Sequence, residues 1–320
     1  MNPRAETAPL GEGPASAASP LVADSVGVLH KHARSFTWAS WFLPADRRDD
    51  AALLYHLCRL IDDLADEAED AVAARRELDL LRDELHGRRP ARPLVSACLR
   101  LLDERGREAV DQLIEGVLGD LGMVILQDDA ALIRYCYRVA GTVGLMMCPM
   151  LGVTDPRAAA YAVDLGIGMQ LTNICRDVLE DAGRGRVYLP ATRLAAVGVT
   201  PEALLEGRAP ASAVAEVVTA LLALSRRYYA SGDDGMRFIP WRTRIAILVA
   251  SRVYGAIGHR LMGRGGDALA GRVIVPPTIK ALAVLSGLLS SLRLALAAYR
   301  PHDEGLHAPL VGLPGVTKKA

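Results

Sequence analysis

The sequence predicts an all-α fold, a single helical domain built as a bundle. Apolar residues recur at helical spacing from about Leu21 to Tyr299, and no segment alternates at period two. Aromatic residues make up only 5% of the chain while Ala and Leu abound, a bias that favours helix over sheet. Apolar residues are 51% of the 320, enough for a well-developed core rather than a disordered chain.

Taken in order, the periodicity predicts helices at 21–38, 46–68, 70–86, 93–104, 107–119, 129–150, 156–182, 201–206, 211–231, 241–263 and 277–299. Residues 1–20 mix Pro, Gly and Ala without an apolar run and read as a disordered tail rather than a signal peptide. Pro44 breaks the chain before the second helix. Thr154-Asp155-Pro156 and Thr200-Pro201-Glu202 each read as a cap followed by proline in the first turn. The uncharged run Val139 to Thr154 is shorter than the ~20 apolar residues that span a bilayer. The segment Ala182 to Pro190, rich in Gly and Arg, reads as a surface loop. No linker interrupts residues 21–300, and residues 301–320 read as a C-terminal tail.

Lys+Arg and Asp+Glu stand at 37 each, so the basic surplus that a nucleic-acid partner requires is missing. Cys58, Cys98, Cys136, Cys148 and Cys175 form no CxxC and have no His at zinc-site spacing. They read as free thiols of a reducing, cytoplasmic compartment.

The chemistry lies on two helices. In YHLCRLIDDLAD, spacings of four, three and four put Tyr55, Arg59, Asp62 and Asp66 within an arc of about 60°, with Asp63 about 100° from Asp62. In QLTNICRDVLED, spacings of three, four and four keep Gln170, Asn173, Asp177 and Asp181 within an arc of about 80°, with Arg176 at its edge. Carboxylates at i, i+4 repel one another on a bare helix, yet these helices are otherwise apolar, with Leu57, Leu60, Ile61 and Leu64 on one and Ile167, Leu171, Ile174 and Val178 on the other. A hard cation such as Mg²⁺ takes carboxylate and amide oxygens and bridges to phosphate. Arg59 and Arg176 add planar forks that match phosphate oxygens.

Four motifs in one order resemble the squalene/phytoene synthase family over roughly residues 25–300. They are His32-Ala33-Arg34-Ser35-Phe36, the Tyr55 to Asp66 stripe, Tyr135-Cys136-Tyr137-Arg138-Val139-Ala140-Gly141-Thr142-Val143-Gly144, and the Gln170 to Asp181 stripe continued by Arg184-Gly185-Arg186-Val187-Tyr188-Leu189-Pro190. The last segment is similar to that of bacterial phytoene synthases. The resemblance implies an isoprenoid-synthase-type helical bundle around a central cavity. It implies Mg²⁺, with Mn²⁺ as a substitute, held by Asp62, Asp66, Asn173, Asp177 and Asp181. It implies diphosphate contacts from His32, Arg34, Ser35, Tyr55, Arg59, Gln170, Arg176, Tyr254 and Arg272. Tyr135 and Phe36 become candidates for the walls around a carbocation, since aromatic faces stabilise cations.

The implied reaction joins two isoprenyl diphosphates head to head through a cyclopropylcarbinyl diphosphate. With geranylgeranyl diphosphate and proton loss the product is phytoene. With farnesyl diphosphate it is dehydrosqualene, or squalene where NADPH supplies hydride. No Gly-rich dinucleotide fingerprint appears, which favours the redox-neutral route. A head-to-tail prenyltransferase or a terpene cyclase is the nearest rival, although Arg176-Asp177-x-x-x-Asp181 stands in place of a second DDxxD and Asp177 and Asp181 stand where a cyclase motif carries a hydroxyl and Glu. A non-catalytic helical scaffold or lipid-binding protein is the second class of alternative. A downstream desaturase is the implied partner for the product. The small residues Ala140, Gly141 and Gly144 suggest either room for a substrate tail or close helix packing. The apolar stretch Lys280 to Tyr299 suggests either core burial or a peripheral contact at the inner face of the membrane.

Overall fold

The computed structural model describes residues 20–32, 42–294 and 298–316. Helices α1 (Pro20–His32), α2 (Ala45–Asp66), α3 (Ala71–Leu85), α4 (Pro93–Leu101) and α5 (Glu104–Gly119) come first. After a short strand β1 (Val124–Ile125), α6 (Asp129–Cys136) runs through a π-helical turn (Tyr137–Gly141) into α7 (Thr142–Met150). The long α8 (Ala158–Gly183) precedes β2 (Arg186–Val187) and two short helices, α9 (Ala191–Ala196) and α10 (Pro201–Leu205). The chain ends in α11 (Ala211–Gly235), α12 (Trp241–Gly263), α13 (Pro277–Leu294) and a 3₁₀ segment (Glu304–Leu310).

The fold is all-α, as the periodicity predicts. The start signals are specific side chains. Asp70 accepts from the amides of Val72 and Ala73 at 2.8 Å, Asp103 from Gly106 and Asp128 from Ala131, each at 2.8 Å. Thr200 caps α10 through Ala203 N–H, with Pro201 in the first turn. At the start of α8, Asp155 accepts the Arg157 amide at 2.9 Å, and regular helix begins at Ala158, two residues after Pro156.

α8 is the central helix. It packs against α11, α7, the π turn, α12 and α6. Its contact with α7 depends on missing side chains. A Cβ on Gly144 would lie 2.2 Å from the Ala162 carbonyl oxygen, and one on Gly166 would lie 2.3 Å from that of Ala140. The small residues at 140–144 therefore seat one backbone against another and leave no room for a substrate tail. The predicted single helix 129–150 is divided at this place, because the turn widens to a π bulge where α8 presses on it.

Two expected surface segments are structural. β2 pairs in parallel with β1, Val124 opposite Arg186 and Ile125 opposite Val187, and Val187, Tyr188 and Leu189 are buried. The segment 182–190 turns inward after Gly185, whose φ of +75° favours glycine. The expected C-terminal tail packs on the core through Leu306 and Leu310. Three buried tyrosines hold it by hydrogen bonds to carbonyl oxygens: Tyr161 to Arg300 at 2.9 Å, Tyr228 to Leu306 at 2.9 Å and Tyr137 to Pro314 at 2.7 Å. The five cysteines are free.

Among the described residues one helix, α12, is long and apolar enough to cross a membrane by length and composition, and it packs against α13, α8 and α11. Overpacking a dense contact costs about 1–3 kcal/mol, so Gly166→Ala is expected to lower the unfolding free energy in urea by about that amount. A Cβ at Gly255 would meet no atom within 4 Å, and Gly255→Ala is expected to be neutral or slightly stabilising.

Candidate active site

The first acidic stripe stands on α2, whose opposite side buries Leu54, Leu57 and Ile61. Tyr55 is half-buried, and burial, only partly offset by Arg59, pushes its hydroxyl up to about 12. Asp62 keeps solvent access although protein surrounds most of it. Burial is the first reason its carboxyl is pushed up to about 7. Arg59 lowers it, while Asp66, Asp63 and Asp120 raise it further. Arg59 is turned onto Asp63 in an i, i+4 ion pair, and its buried Nε has no hydrogen-bond partner.

The second stripe stands on α8. Asn173 Nδ2 donates to Gln170 Oε1 at 3.3 Å, while Asn173 Oδ1 is buried and unpartnered. Arg176 forks onto Asp177, its Nε donating to Oδ1 at 2.7 Å. Arg272 also reaches this helix, with Nε 3.3 Å from Asp177 Oδ1 and Nη1 3.3 Å from Glu180 Oε2. The Asp181 carboxyl is pushed up to about 7, first by burial and then by Asp177 and Glu180, against Arg184 and Arg186.

The two stripes share neighbours. Arg186 lies 4.0 Å from Asp66 on α2 and also acts on the charge of Asp181 on α8. Tyr254, from α12, acts on Tyr55 of the first stripe and on Arg176 of the second. Tyr254 itself is raised, chiefly by burial. Seven predicted site residues are thus linked through shared neighbours: Tyr55, Asp66, Arg176, Asp177, Asp181, Tyr254 and Arg272. Asp62, Arg59, Asn173 and Gln170 stand on the same two helix faces. Arg34, Ser35 and Phe36 lie outside the described residues. His32 is the last residue of α1, and its side chain is outside them too.

Tyr135 brings in residues the sequence reading missed. Its hydroxyl donates to Asp120 Oδ2 at 2.9 Å, and Tyr188 donates to Oδ1 at the same distance. The two rings stack with centroids 4.6 Å apart. Arg186 Nη2 donates to the Asp120 carbonyl at 3.2 Å. Burial raises the Asp120 carboxyl, and the two tyrosine hydrogen bonds oppose that rise. Burial likewise raises the Tyr135 hydroxyl. One sequence signal was present: Asp120 caps the C-terminal end of α5, where the helix dipole disfavours an acid.

These donors suit a hard divalent cation. Carboxylate and amide oxygens come from two helices, Asn173 offers an unpartnered oxygen, and two carboxyls resist ionising without a counter-charge. Arginines beside them can take phosphate oxygens in exchange for their present carboxylate partners.

The squalene/phytoene synthase family matches residues 29–278, which include both stripes. The chain belongs to the squalene/phytoene synthase family. It is 34% identical over 283 residues to the phytoene synthase of Rhodobacter capsulatus, covering 87% of this chain and 84% of that protein. It is 35% identical over 280 residues to the phytoene synthase of Thermus thermophilus, covering 87% and 94%. Among solved structures, a dehydrosqualene synthase bound to a ligand superposes with a TM-score of 0.73 at 24% identity, covering 85% of this chain and 96% of that one. A squalene synthase from Alicyclobacillus acidocaldarius superposes with a TM-score of 0.69 at 22% identity, covering 77% and 95%. Membership of the squalene/phytoene synthase family makes this chain a prenyltransferase of the head-to-head type, acting on prenyl diphosphates with a divalent metal.

Asp62 and Asp181 reach about 7 in the fold, against about 3.9 for an unfolded Asp. Their protonated forms therefore favour folding below about pH 4, and that contribution is lost as pH rises through about 7. A divalent cation is expected to restore stability, more at about pH 8 than at about pH 6. Asp62→Asn is expected to melt higher than wild type in metal-free buffer at about pH 8, and to gain less from added Mg²⁺. Thermal unfolding with and without the ion at both pH values measures this.

Proposed function

We propose that this chain is a phytoene synthase that condenses two geranylgeranyl diphosphates with Mg²⁺ as the metal. What supports the reading is that Arg186 and Tyr254 each neighbour residues of both acidic stripes. The choice of phytoene over shorter products rests on relatives named phytoene synthase at 34–35% identity over most of the chain. The redox-neutral route requires no NADPH, which would enter only with squalene as product.

Asp62, Asp66, Asn173, Asp177 and Asp181 would hold the metal. Bound there, it would supply Lewis-acid stabilisation of the charge that develops on the leaving diphosphate. His32, Arg34, Ser35, Tyr55, Arg59, Gln170, Arg176, Tyr254 and Arg272 are assigned to the diphosphates. Arg59 and Arg176 would exchange Asp63 and Asp177 for diphosphate oxygens, adding preorganised donors where negative charge grows. The first ionisation leaves an allylic cation. The double bond of the second substrate attacks it, and loss of a proton from the tertiary cation so formed closes the cyclopropylcarbinyl diphosphate. Loss of the second diphosphate opens the ring, and loss of a proton sets the central triene. Phe36 and the stacked Tyr135 and Tyr188 rings are assigned to the cation's surroundings, each face contributing ~0.5–2 kcal/mol. Asp120 would fix both hydroxyls so that the rings cannot rotate away.

A cavity of about 650 Å³ adjoins Tyr229 behind α8, lined by Leu222, Gly255, Ala256, Gly258 and Ile279 among others. Its mostly small or apolar lining suits a hydrocarbon tail. The cavity also borders α13, which exposes Leu282, Leu285, Leu288 and Leu289. An exposed apolar row of this kind marks an interaction face. The proposed partner is the inner face of the cytoplasmic membrane, where the substrates and a hydrocarbon product partition, and from which a desaturase would take the product.

Incubation with geranylgeranyl diphosphate and Mg²⁺ is expected to give phytoene and released diphosphate. A longer condensed diphosphate, or a cyclic hydrocarbon from one substrate, would overturn the assignment. Asp62→Ala and Asp177→Ala are each expected to cost at least about a hundredfold in turnover, with unchanged far-ultraviolet circular dichroism. The membrane contact predicts sedimentation with anionic vesicles, lost in a Leu282→Glu/Leu285→Glu/Leu289→Glu variant. Wild-type protein that stays in the supernatant would remove that face from consideration.

A further inference from the structure

Asp164 lies on α8, nine residues before Asn173, about 14 Å along the axis at 1.5 Å per residue. At 100° per residue it points more than a right angle away from the Gln170–Asp181 stripe. It is fully buried, and a buried carboxylate must find compensating charge or hydrogen bonds. The ion-pair partners that the structure shows for it are two imidazoles from the C-terminal segment. His302 Nε2 lies 2.8 Å from Oδ2 and His307 Nε2 lies 2.8 Å from Oδ1. Ser231, on α11, donates to Oδ2.

We propose that Asp164, His302 and His307 form a second metal site, structural in role, for a transition-metal dication of the zinc class. One ligand atom from each residue lies within 4.8 Å of the other two, a spacing that small side-chain shifts convert to coordination around one ion. Two imidazoles and a carboxylate, with an oxygen such as Ser231 Oγ or water in fourth place, make a tetrahedral zinc donor set. Imidazole donors disfavour Mg²⁺, so the ion differs in kind from the one at the acidic stripes.

The histidines are held in place independently of Asp164. Tyr161 and Tyr228 bond the carbonyls of Arg300 and Leu306, one on each side of His302, and Tyr161 packs edge-on to the His302 ring at 5.3 Å. Metal binding requires the lone pair of Nε2, so the ring proton must sit on Nδ1. Both Nδ1 atoms are buried without hydrogen-bond partners, so the proton moved there lacks an acceptor, a cost that coordination at Nε2 must exceed. The ion would replace two hydrogen bonds by coordination and tie the C-terminal segment to the back of α8.

The test uses the full-length chain, untagged, stripped with chelator and titrated with Co²⁺ in excess Mg²⁺. Expected is saturation near about one equivalent, with tetrahedral nitrogen/oxygen ligand-field bands that Zn²⁺ displaces. Asp164→Asn and His307→Gln should lose the bands, while Asp62→Asn should keep them. No saturable tetrahedral spectrum in wild-type protein overturns the site, and this readout needs no variant to fold. Bands dominated by thiolate charge transfer would place the ion on cysteine and overturn it equally. Bands that persist in Asp164→Asn, or vanish in Asp62→Asn, would also refute it.

Discussion

The structure depends on acidic stripes that two helices bring to the same neighbours, Arg186 and Tyr254. Asp62 and Asp181 each face burial and acidic neighbours, and both are pushed up to about 7. Arginines relieve part of this load: Arg59 on Asp63, Arg176 and Arg272 on Asp177, Arg186 between Asp66 and Asp181. The same guanidiniums suit diphosphate oxygens, so they cannot satisfy the carboxylates and the substrate together. A divalent cation bound by the carboxylates would resolve the conflict and leave the arginines to phosphate. The metal-free site is therefore a stored imbalance, the familiar exchange of stability for activity.

Such a site works only if its two helices cannot drift apart. α8 is held from behind by close backbone contact at Gly144 and Gly166. On its α11 side, Thr172 Oγ1 and Ser225 Oγ both donate to the Gly168 carbonyl, at 3.0 and 2.9 Å. α2 is fixed by a fully buried apolar face that includes Leu57 and Ile61. The stripes thus stand on elements whose own positions are over-determined, which is the condition for precise placement of ligands. The β1–β2 pair adds a third brace, since it carries Arg186 and Tyr188 to Asp120 and Asp66.

Local spacing made α2, α8, α10, α11 and α12 readable, and with them both stripes, because i, i+3 and i, i+4 positions share a face whatever the tertiary context. The comparable failures were all non-local. Gly144 looks the same in sequence whether its bare face meets a void or the Ala162 carbonyl. Asp120 joins Tyr135 and Tyr188 only after β2 returns beside β1. The segment 182–190 has the composition of a loop, yet Val187 and Leu189 are almost fully buried. The C-terminal segment is too short to show a period, and its partners Tyr137, Tyr161 and Tyr228 are more than seventy residues away.

α8 consequently serves two chemistries on opposite sides. Its stripe carries part-buried oxygen donors, where under the proposed function a cation and its diphosphates would come and go in each turnover. Its back offers a carboxylate with no solvent access, bonded to two imidazoles of the chain's last described segment. Exchange is needed on the first side and would be harmful on the second, where losing the partners of Asp164 would leave a charge buried alone. A helix crowded with carboxylates on one face gains from an anchor of hydrogen-bonded side chains on the other. The C-terminal segment is in this sense part of the catalytic domain, since it secures the far side of the helix that carries half of the acidic site.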